Sequence, residues 1–219
     1  MIGKEINLLK NYPKSKRNLS ERVKNKKKFQ IIARKFDKRF FDGPRDTGYG
    51  GFSYNPKFWG KVVKDIIKYY NLKNNSSILD IGCAKGFTLV DLKKKLPKIK
   101  IRGIDISKYA IKNSHKMVKN YLDVGCCSNL PYKDNSFDLV LAINTIHNLN
   151  KKKCSKSIKE INRVSKKHSF IMVDAYKNLK EKKRMFEWNL TAKTIMSRKQ
   201  WKIFFKENNF KGDYFWFTP

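Results

Sequence analysis

No apolar run in this 219-residue chain approaches the roughly 20 residues that a membrane-spanning helix needs. Met1 to Pro13 has no continuous apolar stretch of the kind that drives secretion. Cysteine is sparse. Cys83, Cys126, Cys127 and Cys154 form no C-x-x-C pair and no zinc spacing, and the adjacent Cys126 and Cys127 are badly placed to bridge each other. A disulfide framework and a zinc site are therefore not expected. The expectation is a cytoplasmic protein with reduced thiols and no metal. Acidic residues are also scarce, with 18 Asp and Glu against 51 Lys and Arg, a formal net charge of +33. Such an excess has two readings. One is a polyanionic partner, nucleic acid above all. The other is compositional: Lys, Asn and Ile recur in every segment, as an AT-rich coding bias would produce. The excess is mostly Lys, whereas bidentate phosphate and base contacts favour Arg, and this leans toward composition. Either way the charge favours anionic small ligands, and nonspecific nucleic-acid adhesion at low salt.

Two nucleotide fingerprints are missing as well. The pyrophosphate motif G-x-G-x-x-G, started at Gly82, meets Ala84 and Phe87 where glycines are required, and no Walker A string occurs. What is present is Ile78-Leu79-Asp80-Ile81-Gly82-Cys83-Ala84-Lys85-Gly86-Phe87-Thr88. A short apolar run, a small-residue turn and a stretch with Leu89, Leu92 and Leu96 at helical spacing predict strand, turn and helix, the opening of a nucleotide-binding βαβ unit. Ile99 to Ser107 predicts a second strand ending in Asp105, whose carboxylate can accept from a ribose diol.

The turn reads D-x-G-x-A-x-G. It resembles the D/E-x-G-x-G-x-G motif of class I S-adenosylmethionine-dependent methyltransferases, with Ala84 replacing the middle glycine. Asn129 to Val140 resembles the LPF-x-D-x-SFDLV segment before the fourth strand of that family. Arg45-Asp46-Thr47-Gly48-Tyr49-Gly50-Gly51-Phe52 resembles an R-x-x-GYGG-F segment of small bacterial methyltransferases, at a place where these enzymes often carry a lid. The resemblance implies a Rossmann-like α/β fold: a doubly wound, mostly parallel sheet with helices on both faces and an antiparallel last strand. Residues 1–54 would add a basic arm, helical from about Leu19 to Phe40, and the lid; residues 55–219 would form the core.

It also implies S-adenosylmethionine as cofactor and a small-molecule methyl acceptor, with a sugar or other metabolite, anionic by charge, in view. Asp80 and the Gly82 carbonyl would serve the cofactor amino group beside Cys83 and Asn144, Gly86 would leave room, and Asp105 would bind ribose. Ile106 would flank adenine. Cys126 stands where the family commonly has an Asp that accepts from the adenine amino group. A thiol accepts weakly, so adenine readout would fall to backbone near Cys127. Tyr49 would cover the methionine part. On the acceptor side stand Arg45, Tyr54 and Tyr176, with His147, just past strand four, as candidate base. Two other classes stay open. One is an RNA or DNA methyltransferase, although no N-P-P-[YF] motif follows strand four and no Pro-Cys dipeptide occurs. The other is a noncatalytic cofactor-binding subunit.

Overall fold

In a computed structural model, residues 2–13, 19–48 and 52–219 are described. Seven strands form one sheet among them: β1 (Ser77–Ile81), β2 (Lys100–Asp105), β3 (Leu122–Val124), β4 (Phe137–Ile143), β5 (Ser165–Tyr176), β6 (Met196–Ser197) and β7 (Asp213–Phe217). The order is β3-β2-β1-β4-β5, with β7 along β5 and the two residues of β6 at the end of β5. Helices α1 (Ser20–Lys24), α2 (Lys26–Ala33), α3 (Lys38–Phe41) and α4 (Pro56–Tyr69) precede β1, and α5 (Phe87–Lys95), α6 (Lys108–Lys112), α7 (Lys151–Val164), α8 (Leu179–Trp188) and α9 (Arg198–Glu207) lie between the strands. No helix among the described residues is long and apolar enough to cross a membrane.

Strand alternation sends two sets of side chains to opposite faces. Leu79, Val140, Ala142, Ile171 and Val173 pack with Ile158 and Ile161 of α7 and Trp201 and Phe205 of α9. Ile78, Leu139, Leu141 and Phe170 pack with Val62, Val63 and Ile66 of α4 and Leu89 and Leu92 of α5. Local signals start the helices. Asn55 caps α4 ahead of Pro56, Ser107 caps α6 and Ser197 with Gln200 forms a capping box on α9. The Phe137-Asp138 segment also has a structural task. Asp138 Oδ2 accepts from the Ser77 amide at 2.9 Å and hydroxyl at 3.0 Å, tying the start of β4 to the start of β1.

Two expectations are corrected. The last strand is parallel, not antiparallel: β7 pairs with β5 in the register Phe170↔Asp213 to Asp174↔Phe217. The chain leaves β5 through α8, β6 and α9 before β7 begins, and a crossover of this kind returns it in the direction of β5. The segment Leu19–Phe40 is not one helix but three short ones, broken near Asn25 and at Phe36, whose φ of 49° is left-handed. The first residues also join the sheet. Glu5 bridges Tyr214 in parallel, with Ile6 N donating to Tyr214 O at 2.9 Å and Tyr214 N to Lys4 O at 3.0 Å. This covers the outer edge of β7, which would otherwise offer unpaired backbone. Deleting residues 1–8 removes that pairing and the buried Leu8. The melting temperature should fall by several degrees and the protein should associate at high concentration; calorimetry and light scattering check this, and unchanged values would show that the pairing contributes nothing.

Candidate active site

The sheet order reverses between β1 and β4, and the carboxyl ends of strands beside such a reversal flank a crevice. A cavity of about 1010 Å³ opens there. Its floor is the β1–α5 turn. Gly82 (φ 75°) and Gly86 (φ 79°) are both left-handed, where side chains are strained. A Cβ on Gly82 would sit 2.1 Å from Thr145 Oγ1, so this glycine lets β1 pack against the end of β4. Gly86 does not face the cavity as expected; its Cβ would meet Val118 at 2.7 Å, so it serves packing under the start of α5. Ala84 is left-handed too, with φ of 51°, which explains why a glycine is the ordinary choice there. Its amide donates to Asp105 Oδ2 at 2.8 Å and holds the turn.

Two carboxylates face each other's field across this turn. Asp105 is buried and accepts from Ala84 N and from Ser107 N, each at 2.8 Å; burial pushes its pKa up and those bonds oppose the push. Asp80 is also buried, and its carboxylate has no hydrogen-bond partner among the described residues. Burial first, and repulsion from Asp105 second, raise its pKa to about 7. An unpartnered buried carboxylate in a cavity wall is a receptor for a cation or a strong donor. Nearby, the buried Oδ1 of Asn144 also lacks a partner, on a residue with φ of 53°. Ile106 is exposed at the rim beside Asp105. Cys126 lines the same end. A hydrogen bond from Cys127, then Ser128 and the charge of Lys153, bring its pKa down to about 5 against the opposing effect of burial. Of this coupled pair, Cys126 is the thiol shifted toward the charged form and Cys127 is shifted away from it.

This floor fits an adenosyl amino acid: an acidic group for an ammonium, an acidic group for a diol, and a small-residue turn between them. A family profile for a methyltransferase domain matches residues 72–212. The chain belongs to the class I S-adenosylmethionine-dependent methyltransferases. Among curated relatives, it is 32% identical over 128 residues to norajmaline N-methyltransferase of Rauvolfia serpentina, covering 53% of this chain and 43% of that one. It is 27% identical over 123 residues to demethylmenaquinone methyltransferase of Thermotoga maritima, covering 56% and 51%. The chain thus spans about half the length, or less, of the curated relatives it matches. Among solved structures, a Haloferax volcanii putative methyltransferase, in complex with a methyltransferase activator, superposes with a TM-score of 0.56 at 19% identity, covering 66% of each chain. The YcgJ protein of Bacillus subtilis gives 0.53 at 20% identity, covering 67% and 66%.

In this methyltransferase the N-terminal segment lies across the mouth of the cavity. Lys85, in the turn itself, is buried and donates to Asp42 Oδ1 at 2.5 Å and to the Phe52 carbonyl at 2.7 Å. Tyr109 donates to the other oxygen of Asp42 at 2.6 Å, and Ser107 Oγ to the Phe36 carbonyl at 2.5 Å. At the far end Arg22 donates to the Trp188 carbonyl at 3.1 Å, and Lys26 to those of Glu187 and Asn189. A lysine in a glycine turn reads as solvated from sequence, so this anchor was missed; its signal was a charge among small residues in an otherwise apolar stretch.

His147 lines the cavity past β4 as expected, and it is buried. Its Nδ1 accepts from the Asp174 amide at 3.2 Å, and its Nε2 lies 3.5 Å from Asp174 Oδ2. Burial lowers its pKa and Asp174 partly opposes this, so the ring is neutral at neutral pH. Asn189 donates to the same Asp174 oxygen. The structure does not bring Arg45, Tyr54 or Tyr176 to the cavity wall. Arg45 is exposed and gives only its carbonyl, to Arg22. Tyr54 turns to α5, its hydroxyl donating to Asp91 at 2.7 Å. Tyr176 lies under Lys182. Tyr49 lies outside the described residues.

Asp80 generates a paired expectation. Its pKa is raised on folding, so the folded state binds more protons than the unfolded chain between about pH 4 and the folded pKa near 7. Stability of the ligand-free protein should therefore fall as pH rises through that window. Asp80→Asn should flatten the fall and raise the melting temperature at pH 8, while weakening S-adenosylmethionine binding at least tenfold, about 1.4 kcal/mol. Thermal unfolding across pH and calorimetric titration test both; a variant less stable and still tight-binding would contradict this account of Asp80.

Proposed function

We propose that this chain transfers a methyl group from S-adenosylmethionine to a nitrogen or oxygen of a small molecule held in the outer half of the cavity. The observation that carries the reading is the Asp80 carboxylate in the cavity floor, without a hydrogen-bond partner among the described residues, on β1 just before the left-handed turn and close to Asp105. When bound, the cofactor supplies an activated methyl on a sulfonium whose departure leaves a neutral thioether, so no metal is required. Asp80 would hold the amino group, with Gly82 and Cys83 beside it. Asp105 would bind the ribose hydroxyls through the lone pairs its two backbone bonds leave over. Cys126, with Cys127, would receive the adenine amino group, and Ile106 would cover that ring. The segment from Phe36 to Phe52 would serve as lid, anchored by Lys85, with Tyr49 over the methionine part. The chain's work is then to align the acceptor with the methyl and exclude water.

For the neutral His147 to take the acceptor's proton, its Nδ1 lone pair would first have to leave the Asp174 amide, since Nε2–H faces the Asp174 carboxylate. The relatives named as N-methyltransferases support nitrogen as one acceptor atom.

Asp105→Ala should weaken cofactor affinity by more than tenfold, on the order of 1.4 kcal/mol or above, because a hydrogen-bonded diol loses its charged partner. Wild-type affinity by calorimetry would refute the assignment. His147→Gln keeps a polar partner for Asp174 but cannot take up a proton. Turnover should fall by about a hundredfold, the lower end of general-base effects, with cofactor affinity within twofold. Equal turnover would remove His147 from proton transfer. Incubating labelled cofactor with extract, with and without nuclease, tests the acceptor type. Label in the small-molecule fraction regardless of nuclease is expected; label in a nuclease-sensitive polymer would favour a nucleic-acid acceptor.

A further inference from the structure

The turn after β4 carries two buried amide oxygens that no bond within the fold uses. Asn144 follows the strand, and Asn148 closes a single 3-10 turn, Ile146–Asn148. Both residues line the cavity and are partly buried, and the Oδ1 of each is buried with no hydrogen-bond partner among the described residues. Asn148 Nδ2 donates to the Asn144 carbonyl at 3.4 Å, which fixes the oxygen as the end of that amide left over. A buried acceptor without a donor is unfavourable, and native structures keep few of them. No existing bond has to break before either oxygen takes a donor from a ligand.

The turn is held in place around them. Thr145 Oγ1 lies 2.9 Å from the Ile81 carbonyl and 3.0 Å from that of Ile143. The Lys193 and Thr194 amides each donate to the His147 carbonyl at 3.0 Å, and the Asn144 amide donates to the Met172 carbonyl at 2.9 Å. Asn144 keeps a left-handed φ of 53° there. Strain and orphaned acceptors in one segment point to a site. The segment also touches the cofactor floor, since a Cβ on Gly82 would meet Thr145.

The carboxylates lining the cavity are Asp80, Asp105 and Asp174. The first two belong to the floor in the reading above, and Asp174 is engaged by His147 and Asn189. At the turn a ligand therefore meets amide oxygens. An amide oxygen accepts a hydrogen bond, carries no net charge and takes up no proton. A hydroxyl bound to it would bury the very proton that has to leave, and an oxygen anion would be repelled. A neutral amine suits it. One N–H goes to the amide, the lone pair stays open, and the positive charge that arrives with the methyl meets the amide dipoles.

We infer that the methyl acceptor is an uncharged primary or secondary amine whose N–H is received by the Asn148 amide oxygen, with Asn144 Oδ1 as a second acceptor on the same turn. This rests on the methyltransferase reading, narrows its acceptor atom to nitrogen and assigns Asn148 as the residue that selects it. The nitrogen lone pair forms the N–C bond as the C–S pair returns to sulfur, and the sulfonium's charge passes to nitrogen. The ammonium then loses its proton, to His147 once Nδ1 is released or to water on product release.

The test is calorimetric titration of the full chain, first with S-adenosylhomocysteine alone. The complex is then titrated with benzene and naphthalene probes, each bearing a methylamino, dimethylamino, methoxy or hydroxyl group; these aryl amines are uncharged at neutral pH. At least one methylamino probe should bind about tenfold or more tighter than its three counterparts, because only it leaves an N–H for the amide. Asn148→Leu, close in shape, should remove the preference while S-adenosylhomocysteine affinity stays within twofold. Asn148→Asp keeps acceptor oxygens in place and should retain the preference. A dimethylamino, methoxy or hydroxyl probe matching the methylamino one, or no probe binding in the millimolar range, would overturn the inference. So would a preference that survives Asn148→Leu or is lost in both variants. A larger loss of S-adenosylhomocysteine affinity in Asn148→Leu would also overturn it, by placing Asn148 at the cofactor. Failure of S-adenosylhomocysteine to bind the unaltered chain would instead strike the methyltransferase reading.

Discussion

The buried Asp80 carboxylate is the constraint on which the site depends. It sits near the carboxyl end of the first strand, in a place where water is largely excluded and where a second carboxylate, Asp105, repels it. A structure assembled for stability alone would give such a group a donor. Here the Ala84 and Ser107 amides donate to Asp105, one to each oxygen, while Asp80 is left without a donor among the described residues. The left-handed turn through Gly82, Ala84 and Gly86 is the geometry that makes this division feasible, since it aims the Ala84 amide across to β2. The strain at Ala84 and the uncompensated charge at Asp80 are both unfavourable to the ligand-free protein. A cationic amino group at Asp80 relieves the second, so folding energetics and ligand recognition meet in one side chain.

Residues of the N-terminal segment, among them Tyr12, Arg34 and Phe36, line the outer part of this cavity. The segment's two ends are held differently. At the cofactor end a buried lysine of the turn grips Asp42 and the Phe52 carbonyl, so the turn that shapes the floor also anchors the cover. At the other end the cations of α1 and α2 hold backbone carbonyls at the close of α8, where the helix dipole adds to the attraction. The excess of basic residues, which sequence alone leaves divided between coding bias and a polyanionic partner, thus has a local meaning for a few members. Lys85, Lys26 and Arg22 are structural anchors.

The core was legible because its signals are local. Apolar runs of strand length, a cap such as Asn55 or Ser107 and the small-residue turn each act over a few residues. The candidates on the floor, Asp80, Gly82 and Asp105, follow from the same turn. Long-range choices were not legible. Nothing in Tyr214 to Phe217 states whether it runs parallel to β5; that depends on the crossover through α9 and on residues 2–6 covering the edge. Tyr54 and Tyr176 read as wall residues because aromatic rings near a strand end suit either a pocket or a helix face. Asp91 draws the Tyr54 hydroxyl away, and that partner lies 37 positions on. Cys126 lines the cavity, and the lowering of its pKa by Cys127, Ser128 and Lys153 depends on a side-chain geometry that the sequence does not state.

The account stands most directly on the protonation of Asp80. Calorimetric titration with S-adenosylhomocysteine near pH 6.5, repeated in buffers of different ionisation enthalpy, reads the protons exchanged on binding. A carboxyl with a pKa near 7 that meets an ammonium should release a large fraction of one proton, and Asp80→Asn should release none. Binding with no proton release by the wild-type chain, or the same release by Asp80→Asn, would contradict the account.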